Sequence, residues 1–337
     1  MRTLVVGPAW VGDMVMAEPL CAALARDGDA VDVLAPAATA GIAERMPSVD
    51  AVRVLPLRHG QLGLGQRLRG GRQLRGLYDL AVVLPNSWKS ALLPWSARIP
   101  TRRGWRGEQR FLLLNQALPL DGLRWPRMID RFMALASSDF PMPSGISSEP
   151  RLSSDAEAGR RLLAEAGVVL SERVVALCPG AEFGPAKRWP GDHFGELAQR
   201  LGEGGIRAVL LGGAGDREVA AEIRDAAPDV IDLTGRTSLA DAIDVLACAD
   251  AVVSNDSGLM HVAAAVGTPL VALYGSSSPD FTPPLTQRAE ILARSLGCRP
   301  CFERRCPLTG EAHLACLRGI GVNEVHAALD RALTCAS

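Results

Sequence analysis

The chain has 337 residues, 48% of them hydrophobic, enough for two domains of ordinary size with well-buried cores. No run approaches the roughly eighteen apolar residues of a membrane span. Pro8, Gly12, Asp13 and Glu18 interrupt the apolar start in a way that a secretory h-region does not tolerate, so a cytosolic protein is expected. Aromatic residues make up only 4%, too few to favour base stacking on nucleic acid, and the net charge of −1 conceals a local asymmetry described below.

In chain order, a short apolar run over 4–7 ends in glycine and precedes an amphipathic helix pattern over 15–26. Runs over 31–34, 52–55 and 80–84 read as further strands, with a helix pattern over 61–76 leading into the last. Strands alternating with helices imply right-handed crossovers and a parallel sheet. A looser stretch over 137–154, with Pro141, Pro143 and Pro150, reads as a linker, giving domains 1–153 and 154–337. The pattern then restarts, with strands over 174–178, 208–211, 230–233, 251–254 and 270–274. Helices are expected over 191–202, 217–226, 239–247 and 258–265. The expected fold class is α/β, two Rossmann-like domains with parallel sheets facing an interdomain cleft. Such sheets bind ligands beyond the carboxyl ends of their strands, and the polar motifs all fall there.

The first motif is Gly7-Pro8-Ala9-Trp10-Val11-Gly12-Asp13-Met14, which lacks the third glycine of a dinucleotide fingerprint. Asp13 reads either as a helix cap or as a general base for a sugar hydroxyl attacking an anomeric carbon. The second centres on Lys187. Only Lys89 and Lys187 among the 36 basic residues are lysine, and a lysine acts on phosphate as a compact point charge. Lys187 lies in the loop over 179–190, between a strand and a helix, where free N–H groups and the helix dipole make an anion cradle. The loop has no Walker A ending, so ATP hydrolysis is not expected, and Pro185, Trp189 and Pro190 stiffen it.

The third motif, Asn255-Asp256-Ser257-Gly258-Leu259-Met260-His261, joins another strand to a helix. Ser257 can cap that helix, Ser257 and Gly258 offer N–H groups to a second phosphate oxygen, and His261 lies one turn on along the same face. Asp216, in Gly212-Gly213-Ala214-Gly215-Asp216, can accept a ribose hydroxyl.

Two distributions complete the reading. Between Arg53 and Arg131 stand fifteen Arg or Lys and four Asp or Glu, an excess of 15 − 4 = +11 that suggests a basic face for a polyanionic partner. Of eight cysteines, Cys21, Cys178 and Cys248 read as core residues, and Cys335 lies near the end. Cys298, Cys301, Cys306 and Cys316 cluster around His313, which leaves a closed structural zinc site and free or oxidised thiols as the main readings, with an iron–sulfur cluster as a lesser third and none of them catalytic.

The three motifs, together with Leu84-Pro85-Asn86-Ser87-Trp88-Lys89-Ser90-Ala91, Gly104-Trp105-Arg106-Gly107-Glu108 and the stretch 273–284, resemble the type II ADP-heptose–lipopolysaccharide heptosyltransferases of GT-B glycosyltransferase family 9. The resemblance covers most of the chain and implies inverting transfer of L-glycero-D-manno-heptose from ADP-heptose to the first heptose of the lipopolysaccharide inner core. It implies Asp13 as general base and Lys187 on the leaving diphosphate. Gly180, Glu182, Asp216, Thr237, Asp256, Ser257, Gly258 and His261 would line the donor site. Trp10, Asn86, Lys89, Arg106 and Arg110 would face a phosphorylated, Kdo-bearing lipid A acceptor. Catalysis would need no cofactor, and the partners would be the donor, the acceptor and transiently the inner face of the inner membrane, with no nucleic acid. Heptosyltransferases I and III of the same pathway and a nucleotide-sugar epimerase are the alternative readings.

Overall fold

A computed structural model describes residues 1–26, 28–57, 61–139, 145, 147–169 and 171–334. The chain divides into two compact units, Met1–Arg151 and Leu152–Ser337.

In the first unit β1 (Arg2–Val6), β2 (Ala30–Pro36), β3 (Ala51–Leu55), β4 (Leu80–Val83), β5 (Thr101–Trp105) and β6 (Gln116–Leu118) form one sheet. Its order is β3-β2-β1-β4-β5-β6 and every pairing is parallel, with Val5 opposite Val33 on one side and Val82 on the other. Apolar runs such as Leu80–Val83 are buried throughout, as parallel strands covered on both faces must be. The single helix expected over 15–26 is two, Val11–Met16 and Glu18–Ala25. Pro19 lacks an N–H and its ring excludes the carbonyl of Val15, so the helix is interrupted at Ala17. The helix expected over 61–76 runs only over Leu64–Gln73.

The second unit repeats the plan. Strands β7 (Arg173–Cys178), β8 (Ile206–Leu210), β9 (Ile231–Asp232), β10 (Ala251–Asn255), β11 (Leu270–Tyr274) and β12 (Ala289–Ala293) lie in the order β12-β11-β10-β7-β8-β9, again all parallel. Counted within its own unit this is the same order as the first sheet, the Rossmann order. Each sheet therefore has a topological switch point, β1 beside β4 and β7 beside β10, where the loops at the carboxyl ends diverge to opposite faces.

Helix ends follow local chemistry. Asp155 accepts hydrogen bonds from the N–H groups of Glu157 and Ala158 at the start of Ala156–Glu165. Ser238 and Asp241 form a capping box at Leu239–Cys248, and Gly267, at φ 80°, ends Gly258–Val266. Trp189 is fully buried and packs edge-on against Phe194 at 4.8 Å, within a core that includes Val175, Leu177, Leu273 and Val325. That tryptophan anchors the loop that carries Lys187.

Candidate functional site

The expected anion loop follows β7, and the loop holding Asp256 follows β10, so the two flank the switch point of the second sheet. The Lys187 Nζ lies 2.5 Å from Asp256 Oδ2 and 5.1 Å above the Phe183 ring. The hydroxyl of Ser277, in the loop after β11, donates to the same carboxylate oxygen. Asp256 is 3% exposed, and Lys187 keeps part of its side chain at the surface. A buried carboxylate is retained only if its charge is met, and here an ammonium and a hydroxyl meet it. The ammonium is thereby fixed at one point in space, with further N–H directions left for an anion. Ser277 was not singled out from the sequence, because its role depends on a neighbour 21 positions away.

Asn255 joins the ends of the loop. Its buried side chain donates to the carbonyl of Pro179 at 2.7 Å and accepts from the N–H of Trp189 at 2.9 Å. Replacing it with alanine leaves both main-chain groups buried and unpaired, at about 1–3 kcal/mol each. Asn255→Ala is therefore expected to destabilise the second unit by about 2–5 kcal/mol, read from urea titration. A loss below about 0.5 kcal/mol would show that the loop ends are held by other contacts.

Asp216 and Gly180 come together: a Cβ at Gly180 would sit 2.3 Å from Asp216 Oδ2, so only glycine fits there. Both oxygens of Asp216 already have protein partners, the Gly213 N–H at 3.0 Å and Arg188 Nη2 at 3.4 Å. Arg188, unremarked in the sequence, ties that carboxylate to the carbonyl of Ala181. Glu182 is exposed, and Thr237 is half-buried in the bend before Leu239–Cys248.

His261 is 4% exposed on Gly258–Val266, and burial pushes its pKa down to about 4, with the Asp256 charge opposing that shift and Lys187 adding to it. It is neutral at pH 7 and supplies no charge to an anion. Ser257 occupies the N-cap position of that helix, but the expected cap is not made. Its hydroxyl lies 3.3 Å from that of Ser254, and the first-turn N–H groups are not taken by it.

In the first unit Asp13 lies in the first turn of Val11–Met16, half-buried, while Trp10 takes the N-cap position. The loop is held from below by Thr39, whose hydroxyl donates to the Pro8 carbonyl at 3.1 Å. At the neighbouring strand end, Asn86 is exposed and Lys89 half-buried in the first turn of Trp88–Ser96. Arg106 is exposed and its Nε donates to the Ala117 carbonyl at 3.2 Å.

Arg110 is a correction. It is 1% exposed, and its guanidinium donates to the carbonyls of Trp105 and Pro85 and to Asn86 Oδ1. Burial pushes its pKa down to about 10. It braces the loops after β4 and β5 and is not presented to a ligand. The basic face shrinks for the same reason. Arg103 donates to the carbonyls of Leu135 and Ala136, Arg102 to those of Leu113 and Ile99, and Arg53 lies beside Asp32 and Tyr78. A guanidinium with five N–H donors can be consumed by main-chain carbonyls, so an excess counted in sequence overstates the charge presented to a partner.

Glu18, 4% exposed, accepts from the Arg151 N–H at 3.0 Å, yet burial pushes its pKa up to about 7. A folded value above the unfolded one means that its contribution is complete below about pH 4.5 and is lost as pH rises through 7. Glu18→Gln is expected to be more stable than the parent at pH 8 by up to about 3 kcal/mol, with the gap closing toward pH 5. Urea titrations of both proteins at pH 5, 6.5 and 8 measure it, and a gap independent of pH would refute the buried-acid account.

The cysteine cluster does not form the closed centre expected as one reading. Cys298 and Cys301 are exposed, Cys306 and Cys316 half-buried, and all four are free thiols. Among the described residues no three His, Cys, Asp or Glu side chains are arranged to hold a metal ion. Cys21 and Cys178 are buried as expected, Cys248 is only half-buried, and Cys335 lies outside the described residues. Among the described residues no helix is long and apolar enough to cross a membrane.

Comparison with known proteins adds a name to this geometry. The profile of glycosyltransferase family 9 (heptosyltransferase) matches residues 67–311. The chain is 47% identical to lipopolysaccharide heptosyltransferase 2 of Salmonella typhimurium over 309 residues, 87% of this chain and 88% of that one. It is 46% identical to the Escherichia coli protein of the same name over the same shares. The solved structure of E. coli ADP-heptose lipopolysaccharide heptosyltransferase II is similar over 99% of both chains, with a TM-score of 0.86 and 39% identity.

Proposed function

The chain belongs to glycosyltransferase family 9, the heptosyltransferases, and from that premise we propose that it moves L-glycero-D-manno-heptose, with inversion, from ADP-heptose to the first heptose of the lipopolysaccharide inner core. The observation that carries this reading is identity of 47% to a lipopolysaccharide heptosyltransferase 2 over nearly the whole of both chains.

The chemistry of the two loop sets fits that reaction. The acceptor hydroxyl attacks the anomeric carbon, the bond from that carbon to the phosphate oxygen breaks, and ADP departs with the bonding pair. Asp13 takes the hydroxyl proton. A single displacement at one face inverts the anomeric centre. Charge growing on the departing diphosphate is met by Lys187, held in place by Asp256, and by the first turn of Gly258–Val266. Asp216 and Thr237 serve the adenosine end, and His261 shapes the site as a neutral side chain. Trp10, Asn86, Lys89 and Arg106 face the acceptor, a phosphorylated, Kdo-bearing lipid A met at the membrane surface.

The deciding experiment offers ADP-heptose with either Kdo2-lipid A or its mono-heptosylated form. Turnover only with the second is the expected result. Turnover only with the first would make this the first heptosyltransferase of the pathway. No ADP release with either would mean that the donor is a different nucleotide sugar.

A further inference from the structure

The segment 297–306, which carries three of the clustered cysteines, is hydrogen-bonded to the loop after β7 and to the loop after β11. Arg299 donates to three main-chain carbonyls: Nε to Gly275 at 2.6 Å, Nη2 to Ser277 at 3.0 Å and Nη1 to Arg294 at 3.0 Å. The Phe302 N–H donates to the Ser276 carbonyl at 2.8 Å. Arg304 Nε donates to the Phe183 carbonyl at 2.7 Å, and the Arg304 carbonyl accepts from the Ala186 N–H at 3.2 Å. The approach is close enough that a Cβ at Gly184 would fall 2.4 Å from that carbonyl oxygen.

These contacts close a ring. Arg299 fixes Ser277, Ser277 donates to Asp256, Asp256 pairs with Lys187, Lys187 lies over Phe183, and Arg304 fixes Phe183. A lysine that binds an anion as a point charge is only as well placed as the groups that orient it. We propose that Arg299 and Arg304 are positioning residues for the donor diphosphate, acting through Ser277 and Phe183 to hold Asp256 and Lys187. The proposal rests on the nucleotide-sugar reading above. The cysteine-bearing segment is then a clamp on the leaving-group site, and the two arginines act through main-chain carbonyls.

Arg299→Ala, Arg299→Lys and Arg304→Ala in the full chain test it, with ADP-heptose kinetics, ADP binding and amide hydrogen exchange as readouts. Both alanine variants are expected to raise the donor KM and the ADP Kd about five- to tenfold, with the acceptor KM unmoved. Arg299→Lys recovers little, because an ammonium does not reproduce a fork that spans three carbonyls. Exchange of the Ala186 and Lys187 amides quickens in both alanine variants. If Arg299→Ala fails to fold, the exposed Arg304 side chain carries the test alone. Unchanged donor affinity in a folded Arg304→Ala protein, or unchanged exchange at Ala186, overturns the proposal. Should the parent protein bind no ADP, the donor reading falls, and the exchange rates still decide for or against the clamp.

Discussion

Asp13→Ala is expected to lower transfer by about two to four orders of magnitude while leaving ADP binding within about twofold of the parent. The argument is positional and chemical. Asp13 lies in the first turn of Val11–Met16 at the carboxyl end of β1, half-buried, and it is not the residue at the N-cap. A sugar hydroxyl is a poor nucleophile until its proton is taken, and a carboxylate within reach supplies that in the transition state. The residues assigned to the nucleotide all lie in the second unit, so a base in the first unit should alter kcat and spare donor affinity. Asp13→Asn provides the isosteric control and should be nearly as slow. Steady-state transfer with the mono-heptosylated acceptor, paired with calorimetric titration of ADP, reads both quantities. Turnover near that of the parent would remove Asp13 from the base role.

Lys187→Ala is expected to weaken donor binding by at least about 1.5–3 kcal/mol, or roughly 10- to 150-fold in Kd. The structure adds a reason for the upper end. Asp256 is buried, and losing Lys187 leaves, among the described residues, the Ser277 hydroxyl on a carboxylate that would then repel an incoming diphosphate. The double variant Lys187→Ala/Asp256→Asn should therefore bind ADP better than Lys187→Ala alone, a non-additivity read by a double-mutant cycle. Additive losses would mean that the pair acts as two independent groups. Unchanged affinity in the single variant would take Lys187 out of the site.

Much of the fold can be read locally. Short, largely apolar runs of Val, Leu, Ile and Ala, mostly alternating with helix patterns, mark nine of the twelve strands among the described residues, each backed by main-chain pairing within the sheets. The three unmarked strands are β5, β6 and β12, and their residues explain why. Thr101–Trp105 carries two adjacent arginines, Gln116–Leu118 is three residues long, and Ala289–Ala293 is a half-buried edge strand with a glutamate at its second position. Edge and short strands gain their stability from a neighbour, so their own composition says little.

The candidate site divides in the same way. The carboxylate of Asp13, the lysine of the 179–190 loop and the strand-to-helix turn at Asp256 declare themselves because strand, loop and helix succeed one another within about fifteen residues. A parallel sheet then delivers every such loop to one edge. Pairings across long separations do not declare themselves. Lys187 and Asp256 are 69 positions apart, Arg299 and Ser277 are 22 apart, and Arg304 and Phe183 are 121 apart. Nothing in local pattern chooses those partners.

The sequence by itself determined a two-unit α/β chain, the strand-to-helix loops that are candidates for the site and, through its motifs, the family. Tertiary structure alone decided which charges are presented and which are consumed. Arg110 stands in a basic stretch of sequence yet spends its guanidinium on main-chain carbonyls, and among the described residues no three of the four cysteines close in sequence are arranged to hold a metal ion. The physical reason is common to both cases. Local sequence sets which conformations a segment prefers, whereas the partner that satisfies a buried donor or charge is set by where distant strands end.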